Sequence, residues 1–402
     1  MITILEIAFP NLDPTILPIY RPFALRWYGL GYLFAFFVGW LVLRHTQKKG
    51  FFRIAEEDCS SLLMYVIIGV FAGGRLGYIL FYDDPIQVLR DPSLIFGRDF
   101  SGISGLSFHG GLLGVMIAGV LFAWVRGRRQ YRTLPLEQSK SEGLGGIGKR
   151  ARAVWCDGFD AMVLGVPAGI VFVRIANFVN GELYGREITD AAGNPVTDAA
   201  LAPDWAMRFP TSDEGRAALN DFYQMQQFTN PEAPPVDFHK VLSLPVDQNV
   251  WDQVSQNVTL RHPSQIYQAL LEGLAVLIVM WLLRKRFPKK GMLGGCFLIA
   301  YAAARFPMEY FRQPDVQFEA GEKLGSWGQT LASMGVTQGQ LLCIGMAAIG
   351  VIMFTLCARS KNPFMARTAE QRAFRAVPMS AEEAGVPEGQ RNKKKAQSVT
   401  QP

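Results

Sequence analysis

Charged side chains lie inside otherwise apolar stretches of this sequence, and their chemistry is that of an anion site. Among them are Arg75, Arg174, Arg305 and Glu309. Charged groups within a membrane are costly and usually serve a function. A guanidinium stays protonated and donates paired, charge-assisted hydrogen bonds, so arginines at one depth predict a receptor for phosphate. A phospholipid head group is the natural ligand of such a receptor.

Structural roles for these charges are open alternatives. The guanidinium of Arg75 could instead reach the polar head groups of the outer leaflet by snorkelling, which would satisfy its hydrogen bonds. Tyr301, Arg305 and Glu309 are spaced four residues apart, which places them along one face of a helix. Arg305 and Glu309 could therefore form an ion pair with a purely structural role.

One histidine is a candidate for proton transfer. His109 lies in the segment GISGLSFHGGLLG, whose glycines permit irregular backbone beside a cavity. Imidazole titrates near neutral pH, so a histidine close to the arginines suits general base catalysis. A histidine that only packs in the interior is the alternative.

The segment RIANFVNGELYGR carries further polar groups. Arg174 and Asn177 share one helix face, and Glu182 begins the exit into a long loop. Gly181 and Gly185 are expected to serve as turn or packing glycines.

Two other patterns are expected to be structural. In HPSQ at 262–265, Pro263 suits a helix start, and Ser264 and Gln265 lie where unpaired amides need acceptors. GVFAG and GGRLG at 69–77 are GxxxG patterns, which predict close helix packing.

The elements that must position these residues are membrane-spanning helices. Half of the 402 residues are hydrophobic, 18% are charged and the mean hydropathy is +0.14, which is high for a soluble domain. Crossing a bilayer takes about 20 apolar residues. Seven runs meet this need, near 27–43, 60–82, 104–125, 157–180, 264–283, 291–311 and 340–357. The predicted fold is an all-α integral membrane protein with seven transmembrane helices.

The distribution of charge predicts the orientation of these helices. Lys and Arg cluster after the first, third, fifth and seventh runs, as in cytoplasmic segments. The loop 186–260 instead has eleven Asp or Glu against four Lys or Arg, so it should face outward. The N-terminus is then outside and the C-terminus is cytoplasmic. The net charge of +6 reflects this topology rather than nucleic-acid binding.

The remaining segments complete the predicted organisation. Residues 1–26 form an uncleaved interfacial lead-in, and residues 27–357 form the membrane domain with a cytoplasmic loop at 126–152. The loop 186–260 is rich in Pro and Asp with scattered aromatic residues, which indicates a small external domain. The polar, basic tail 358–402 is expected to be disordered in the cytoplasm.

Helix geometry gives each polar residue a depth. At about 1.5 Å per residue, Arg75, Arg174 and Arg305 lie roughly 22, 25 and 21 Å from the inner ends of their spans. His109 lies about 8 Å below the outer end of its span, and Tyr28 opens the first span on that side. Residues from five helices are thus expected to converge in the outer half of the bilayer.

The cysteines predict no metal or redox centre. There are five, an odd number, and no two form a CxxC pair. This pattern supports neither a disulfide framework nor a zinc site. No cofactor is expected.

Several motifs together resemble one enzyme family. They are FHGGL at 108–112, RIANFVNGELYGR at 174–186, WAMRFP at 205–210, RHPSQIYQALLEG at 261–273 and RFPMEYFRQPD at 305–315. The sequence is similar to the phosphatidylglycerol–prolipoprotein diacylglyceryl transferases of bacterial lipoprotein maturation. The resemblance implies a seven-helix enzyme of the bacterial inner membrane with its active site in the periplasmic half. Such enzymes move the diacylglyceryl group of phosphatidylglycerol to the thiol of the lipobox cysteine in a prolipoprotein signal peptide, and they release glycerol 1-phosphate.

The resemblance also assigns site residues. The essential positions of the family fall on Tyr28, His109, Arg174, Asn177, Glu182, Gly185, Tyr301, Arg305 and Glu309. In that assignment His109 takes the thiol proton, and Arg174 and Arg305 bind the phosphate. Asn177, Tyr28 and Tyr301 would orient the head group.

Some features depart from the family or fit another class. Ala176 stands where the family usually has Gly, and Gln268 where it usually has Glu. The loop 126–152, the loop 186–260 and the tail are longer than expected. A phospholipid transporter or scramblase would also need a basic site among membrane helices, but the broken-helix repeats typical of transporters are not visible. A non-catalytic membrane scaffold would not need buried charges.

Overall fold

Long apolar helices dominate the computed structural model. It describes residues 8–20, 23–82, 90–91, 107–232, 234–313, 337–376, 379–380, 383 and 385. Five helices in these ranges are long and apolar enough to cross a membrane, over Trp27–Lys48, Glu56–Leu80, Gly110–Arg132, Ser264–Leu283 and Gly339–Ala358. The protein is therefore a mostly helical, multi-pass membrane protein.

The helices and their bounds are numbered here in chain order. Those before residue 200 are α1 (Trp27–Lys48), α2 (Glu56–Tyr82), α3 (Phe108–Arg132), α4 (Leu136–Glu142), α5 (Gly145–Met162) and α6 (Val166–Val179). The loop 186–260 contains α7 (Asp213–Thr229), α8 (Phe238–Val241) and α9 (Gln248–Val254). The remaining helices are α10 (Ser264–Gln268), α11 (Val276–Leu283), α12 (Met292–Met308), α13 (Gln338–Ala358) and α14 (Ala369–Arg372). A π-helical segment, Ala269–Ala275, joins α10 to α11.

Two of the seven predicted spans differ from simple membrane helices. The predicted span 157–180 falls on α5 and α6, which meet at a bend of 47° and count as a sixth candidate span if taken together. The predicted span 291–311 falls on α12, which has 17 residues. An untilted helix needs about 20 residues to cross the hydrocarbon core. The described residues thus contain five candidate spans, or six with the bent pair.

A short β-hairpin precedes the first helix, which the all-α prediction missed. β1 (Thr15–Tyr20) pairs antiparallel with β2 (Phe23–Arg26), with Thr15 opposite Arg26. The carboxylate of Asp13 accepts a hydrogen bond of 2.7 Å from the backbone N–H of Thr15. Pairing between the strands satisfies backbone groups that the lead-in would otherwise leave open.

The chain divides into two compact units. Unit 1 comprises Met1–Ala35, Ala168–Val276 and Tyr301–Ala347. Unit 2 comprises Phe36–Pro167, Leu277–Ala300 and Ala348–Pro402.

Unit 1 contains a core built largely from the loop 186–260. Phe209, Leu219 and Val258 are fully buried and pack with Trp251 and with Phe9 from the N-terminal segment. Helix α7 begins at a capping serine whose hydroxyl accepts the N–H of Gly215 at 3.0 Å. The loop is therefore packed structure.

Unit 2 is held together by close contact between glycines of α2 and α3. A methyl group on Gly114 would lie 2.1 Å from the backbone oxygen of Gly69, and one on Gly110 would lie 2.3 Å from that of Gly73. Any side chain larger than hydrogen would force the two backbones apart. The packing role predicted for the GxxxG patterns is confirmed.

The first part of the tail is folded in unit 2, which corrects the prediction of a disordered tail from residue 358. Arg367 is buried and donates hydrogen bonds to Asp157 at 2.7 Å and to Asp160 at 2.9 Å. Its guanidinium also lies 3.8 Å from the ring centroid of Phe51. Hydrophobic periodicity does not reveal this anchor, because its partners lie about 200 residues away in sequence.

Candidate functional site

Two arginines of unit 1 share one buried carboxylate. Glu272, in the π-helical segment, is fully buried, and its Oε2 lies 3.6 Å from Nη2 of Arg174. Nη1 of Arg305 donates to Oε1 of Glu272 at 3.3 Å, and the hydroxyl of Tyr301 donates to Oε2 at 3.2 Å. Glu272 therefore joins Arg174 on α6 to Tyr301 and Arg305 on α12.

A second carboxylate completes the pairing of Arg305. Its Nη2 donates to Oε1 of Glu309, which is the ion pair that the four-residue spacing allowed. The hydroxyl of Thr337 donates to Oε2 of Glu309 at 3.4 Å, and the carboxyl group lies against Gly339 in the first turn of α13. A helix N-terminus stabilises negative charge, so Glu309 is held from both sides.

A chain of three polar side chains joins the start of α1 to the end of α6. The hydroxyl of Tyr28 donates to Oε2 of Glu182 at 2.5 Å, and Nδ2 of Asn177 donates to the hydroxyl oxygen of Tyr28. Asn177 is buried, whereas Glu182 is exposed. Asn177 lies three residues after Arg174 on α6, so this chain adjoins the arginine pair.

The two glycines after α6 have the structural roles that the sequence predicted. Gly181 has φ +64°, which favours glycine, and its carbonyl accepts a hydrogen bond of 2.5 Å from the hydroxyl of Thr211. The N–H of Gly185 donates to the carbonyl of His262 at 2.8 Å. A methyl group on Gly185 would lie 2.5 Å from the backbone oxygens of His262 and Phe311. Gly185 is thus required where three chain segments meet.

The HPSQ segment starts a helix as the sequence predicts, since α10 begins at Ser264, but the predicted capping by its polar side chains is wrong. Pro263 occupies the N-cap position of α10 and makes no side-chain cap. The hydroxyl of Ser264 donates to the carbonyl of Leu183 at 3.1 Å, and Nε2 of Gln265 donates to the carbonyl of Glu182 at 2.8 Å. The backbone after α6 offers carbonyl groups that accept hydrogen bonds from these side chains, whereas a helix start offers unpaired N–H groups. Ser264 and Gln265 therefore fix the segment that follows α6.

Sequence reasoning missed Glu272 and the importance of Gln268. Both are fully buried on the same helical segment. An acidic residue within the run ALLEGLAVLIV is as costly in a membrane as the arginines, so the same criterion would have found Glu272. Both polar atoms of the Gln268 side chain lack a hydrogen-bond partner among the described residues.

Arg261 organises the adjoining part of unit 1. It is buried and donates to Glu187 at 2.9 Å, to Glu214 at 2.8 Å and to Gln313. Burial alone would raise the pKa of Glu214, but hydrogen bonds from the backbone and from Arg261 hold that pKa below its ordinary value. Burial lowers the pKa of the neighbouring His262 imidazole, which favours its neutral form.

The structure brings eight of the nine predicted site residues into unit 1. The eight are Tyr28, Arg174, Asn177, Glu182, Gly185, Tyr301, Arg305 and Glu309. His109 belongs to unit 2, on α3, and its side chain lies outside the described part of the structure. Arg75 also belongs to unit 2, where its guanidinium lies 5.4 Å from the ring centroid of Tyr78. Within the described ranges, no group of three His, Cys, Asp or Glu side chains could hold a metal ion.

The apolar helices and the arginine pair on Glu272 define a multi-pass membrane protein with paired charges inside unit 1. The family model described as prolipoprotein diacylglyceryl transferase matches residues 14–136 and 147–356. Relatives named phosphatidylglycerol–prolipoprotein diacylglyceryl transferase, from Escherichia coli strain K12 and Shigella boydii serotype 18, are each 34% identical over 354 residues. These alignments cover 87% of this chain and 95% of each relative. The chain belongs to the prolipoprotein diacylglyceryl transferase family, which confirms the resemblance found in its motifs.

Proposed function

We propose that this protein transfers the diacylglyceryl group of phosphatidylglycerol to the lipobox cysteine of bacterial prolipoproteins. Family membership supports the reaction, and the relatives that match most of the chain carry both substrates in their names. The observation within the structure that carries the proposal is the arginine pair on Glu272.

The arginine pair suits the phosphate of the donor lipid. Among the described residues Arg174 makes one ion pair, at 3.6 Å, whereas a guanidinium has five N–H donors. Its side chain is 17% exposed, so these donors can reach a bound lipid. We assign phosphate binding to Arg174 and Arg305, because planar guanidinium groups match the geometry of phosphate oxygens.

The reaction is a nucleophilic substitution at carbon. The thiolate of the substrate cysteine attacks the carbon of the diacylglyceryl group that carries the phosphate. A carbon–sulfur bond forms there, and the bond between that carbon and the phosphate oxygen breaks. The leaving group departs with the electron pair as glycerol 1-phosphate, and the arginines stabilise its charge. A free thiol has a pKa of about 8.5, so a base that takes the thiol proton increases the reactive fraction near neutral pH.

The other predicted residues receive supporting roles in this scheme. His109 is the base for the thiol proton. Tyr28 and Asn177 orient the head group, and Glu182 anchors Tyr28. Tyr301, whose hydroxyl donates to Glu272, positions that carboxylate rather than the head group, and Glu309 holds Arg305 in position. Gly185 keeps the segment after α6 close to its neighbours.

We further propose the topology that the charge distribution predicts. Seven helices cross the bacterial inner membrane, the N-terminus and the loop 186–260 are periplasmic, and the active site lies in the periplasmic half. The apolar helix α12 supplies one crossing, and local thinning of the bilayer accommodates its 17 residues. A periplasmic site would receive the lipobox cysteine after translocation of the signal peptide.

One assay tests the proposed activity. The purified protein is incubated with labelled phosphatidylglycerol and a lipobox peptide, and the peptide is analysed by mass spectrometry for a diacylglyceryl thioether. The proposal requires that product, and requires its loss when the peptide cysteine is replaced by serine. Movement of lipid between leaflets without thioether would support a scramblase and contradict the proposal.

A further inference from the structure

Gln268 lies between two links that join α6 and its exit to the segment starting at Ser264. At one link Arg174 meets Glu272 at 3.6 Å, and at the other Gln265 donates to the carbonyl of Glu182 at 2.8 Å. Gln268 follows Gln265 by three residues and precedes Glu272 by four, so all three side chains share one helix face. Gln268 therefore lies between the Arg174–Glu272 ion pair and the hydrogen bond from Gln265 to Glu182.

Some polar side-chain atoms in this region have no hydrogen-bond partner among the described residues. Nε2 and Oε1 of Gln268 have no hydrogen-bond partner within the described ranges, although the side chain is fully buried. Oδ1 of Asn177 is also buried without a hydrogen-bond partner in the described ranges. Asn177 lies in sequence between Arg174, which pairs with Glu272, and Glu182, whose carbonyl accepts from Gln265. Buried amides left unpaired are rare and costly, so each requires a bound partner.

We propose that Gln268, with Asn177, binds the hydroxyl groups of the donor lipid's head group and selects for them. This inference rests on the proposed function, in which Arg174 and Arg305 hold the adjoining phosphate. Nε2 of Gln268 can donate to a hydroxyl oxygen, and the two amide oxygens can each accept a hydroxyl hydrogen. A cationic head group is disfavoured, because the amides are neutral and the carboxylates of Glu272 and Glu309 are already paired with the two arginines. Gln268 is thus a specificity-determining residue for a neutral polyol head group.

The test compares two donor lipids with the purified full-length enzyme. One is phosphatidylglycerol, and the other is phosphatidyl-n-propanol, which lacks both head-group hydroxyls. Wild-type enzyme should favour phosphatidylglycerol by about tenfold to a hundredfold in kcat/KM, because a site built for hydroxyls leaves its amides unpaired with the analogue. Gln268→Met, which keeps length and volume, should reduce this preference by lowering kcat/KM for phosphatidylglycerol alone, while Asn177 retains part of it. The matched control is Gln130→Met, at a buried glutamine of unit 2, and it should keep the wild-type preference.

The outcomes separate this inference from the proposed function. An equal loss on both donors, or an unchanged preference in Gln268→Met, would overturn the inference, since the amide would then have only a structural partner such as water. A wild-type preference near one would overturn it as well. If Gln268→Met does not fold, Gln268→Asn withdraws the amide by one methylene and should lower the preference in the same way. Wild-type enzyme that is inactive with both donors would refute the proposed function, and the inference would fall with it.

Discussion

Glu272 sets the charge balance of the arginine site. Arg174 and Arg305 are paired with two carboxylates, those of Glu272 and Glu309, so the four side chains carry no net formal charge. This balance allows both arginines to lie among membrane helices without an unpaired charge. It also leaves donors on Arg174 for an incoming phosphate.

The guanidinium group of Arg174 should be needed beyond its charge. In Arg174→Lys a single ammonium replaces the planar fork, and lost hydrogen bonds to a charged group are worth about 1.5–3 kcal/mol. We expect kcat/KM for phosphatidylglycerol to fall about ten- to a hundredfold. Arg216→Lys, at an exposed arginine of unit 1, is the control and should be unaffected. Near-normal turnover of Arg174→Lys would show that Arg174 does not bind the phosphate.

Removing the charge of Glu272 should destabilise the protein. Glu272→Gln keeps the shape but removes the fully buried charge that two partly buried guanidinium groups share, which costs about 3–5 kcal/mol. The expected result is a lower unfolding temperature in detergent. Glu56→Gln, at a carboxylate that is 65% exposed in its pair with Arg44, should leave the unfolding temperature nearly unchanged, because solvent screens exposed pairs. Equal unfolding temperatures for Glu272→Gln and wild type would contradict the charge balance.

Single residues differ in how far the sequence alone reveals them. Arg174, Arg305 and Glu309 were found because charge within an apolar run is informative without any structure. Glu272 was missed although it lies in the predicted span 264–283, where the same criterion applies. The shared use of Glu272 by both arginines depends on contacts across helices, which spacing along one helix does not contain.

At the level of elements, the apolar runs predicted helices because a bilayer demands long apolar segments. Each of the seven runs contains a helix in the structure, although α12 is short and the α5–α6 pair is bent. The hairpin β1–β2 and the folded tail around Arg367 were not predicted. Their stability comes from partners elsewhere in the chain, and local patterns carry no sign of those partners.

The close contact of α2 and α3 makes a prediction about packing. Gly114→Ala places a methyl group 2.1 Å from the backbone oxygen of Gly69, so the helices must separate. We expect a loss of about 1–3 kcal/mol in stability, measured as a lower unfolding temperature. Gly39→Ala is the matched control, because a methyl group there has no neighbour within 4 Å in the described structure. Similar stability of the two variants would argue against the tight helix contact.

At the level of the whole molecule, the proposed topology has a direct test. Single cysteines at exposed Gln224, in the loop 186–260, and at exposed Gln138, in the loop 126–152, serve as reporters. An impermeant thiol reagent added to intact spheroplasts should label Gln224→Cys and leave Gln138→Cys unlabelled until lysis. The reverse pattern would invert the orientation drawn from the positive-inside rule.

The central claim is that phosphate leaves from carbon while Arg174 and Arg305 hold it. The most direct measurement is ³¹P NMR of the reaction of phosphatidylglycerol with a lipobox peptide, combined with quantification of the peptide product. Attack at carbon predicts that one phosphomonoester, glycerol 1-phosphate, appears for each thioether formed, and that neither appears without the peptide thiol. Formation of diacylglycerol, or of phosphomonoester without thioether, would place bond cleavage elsewhere and contradict the account.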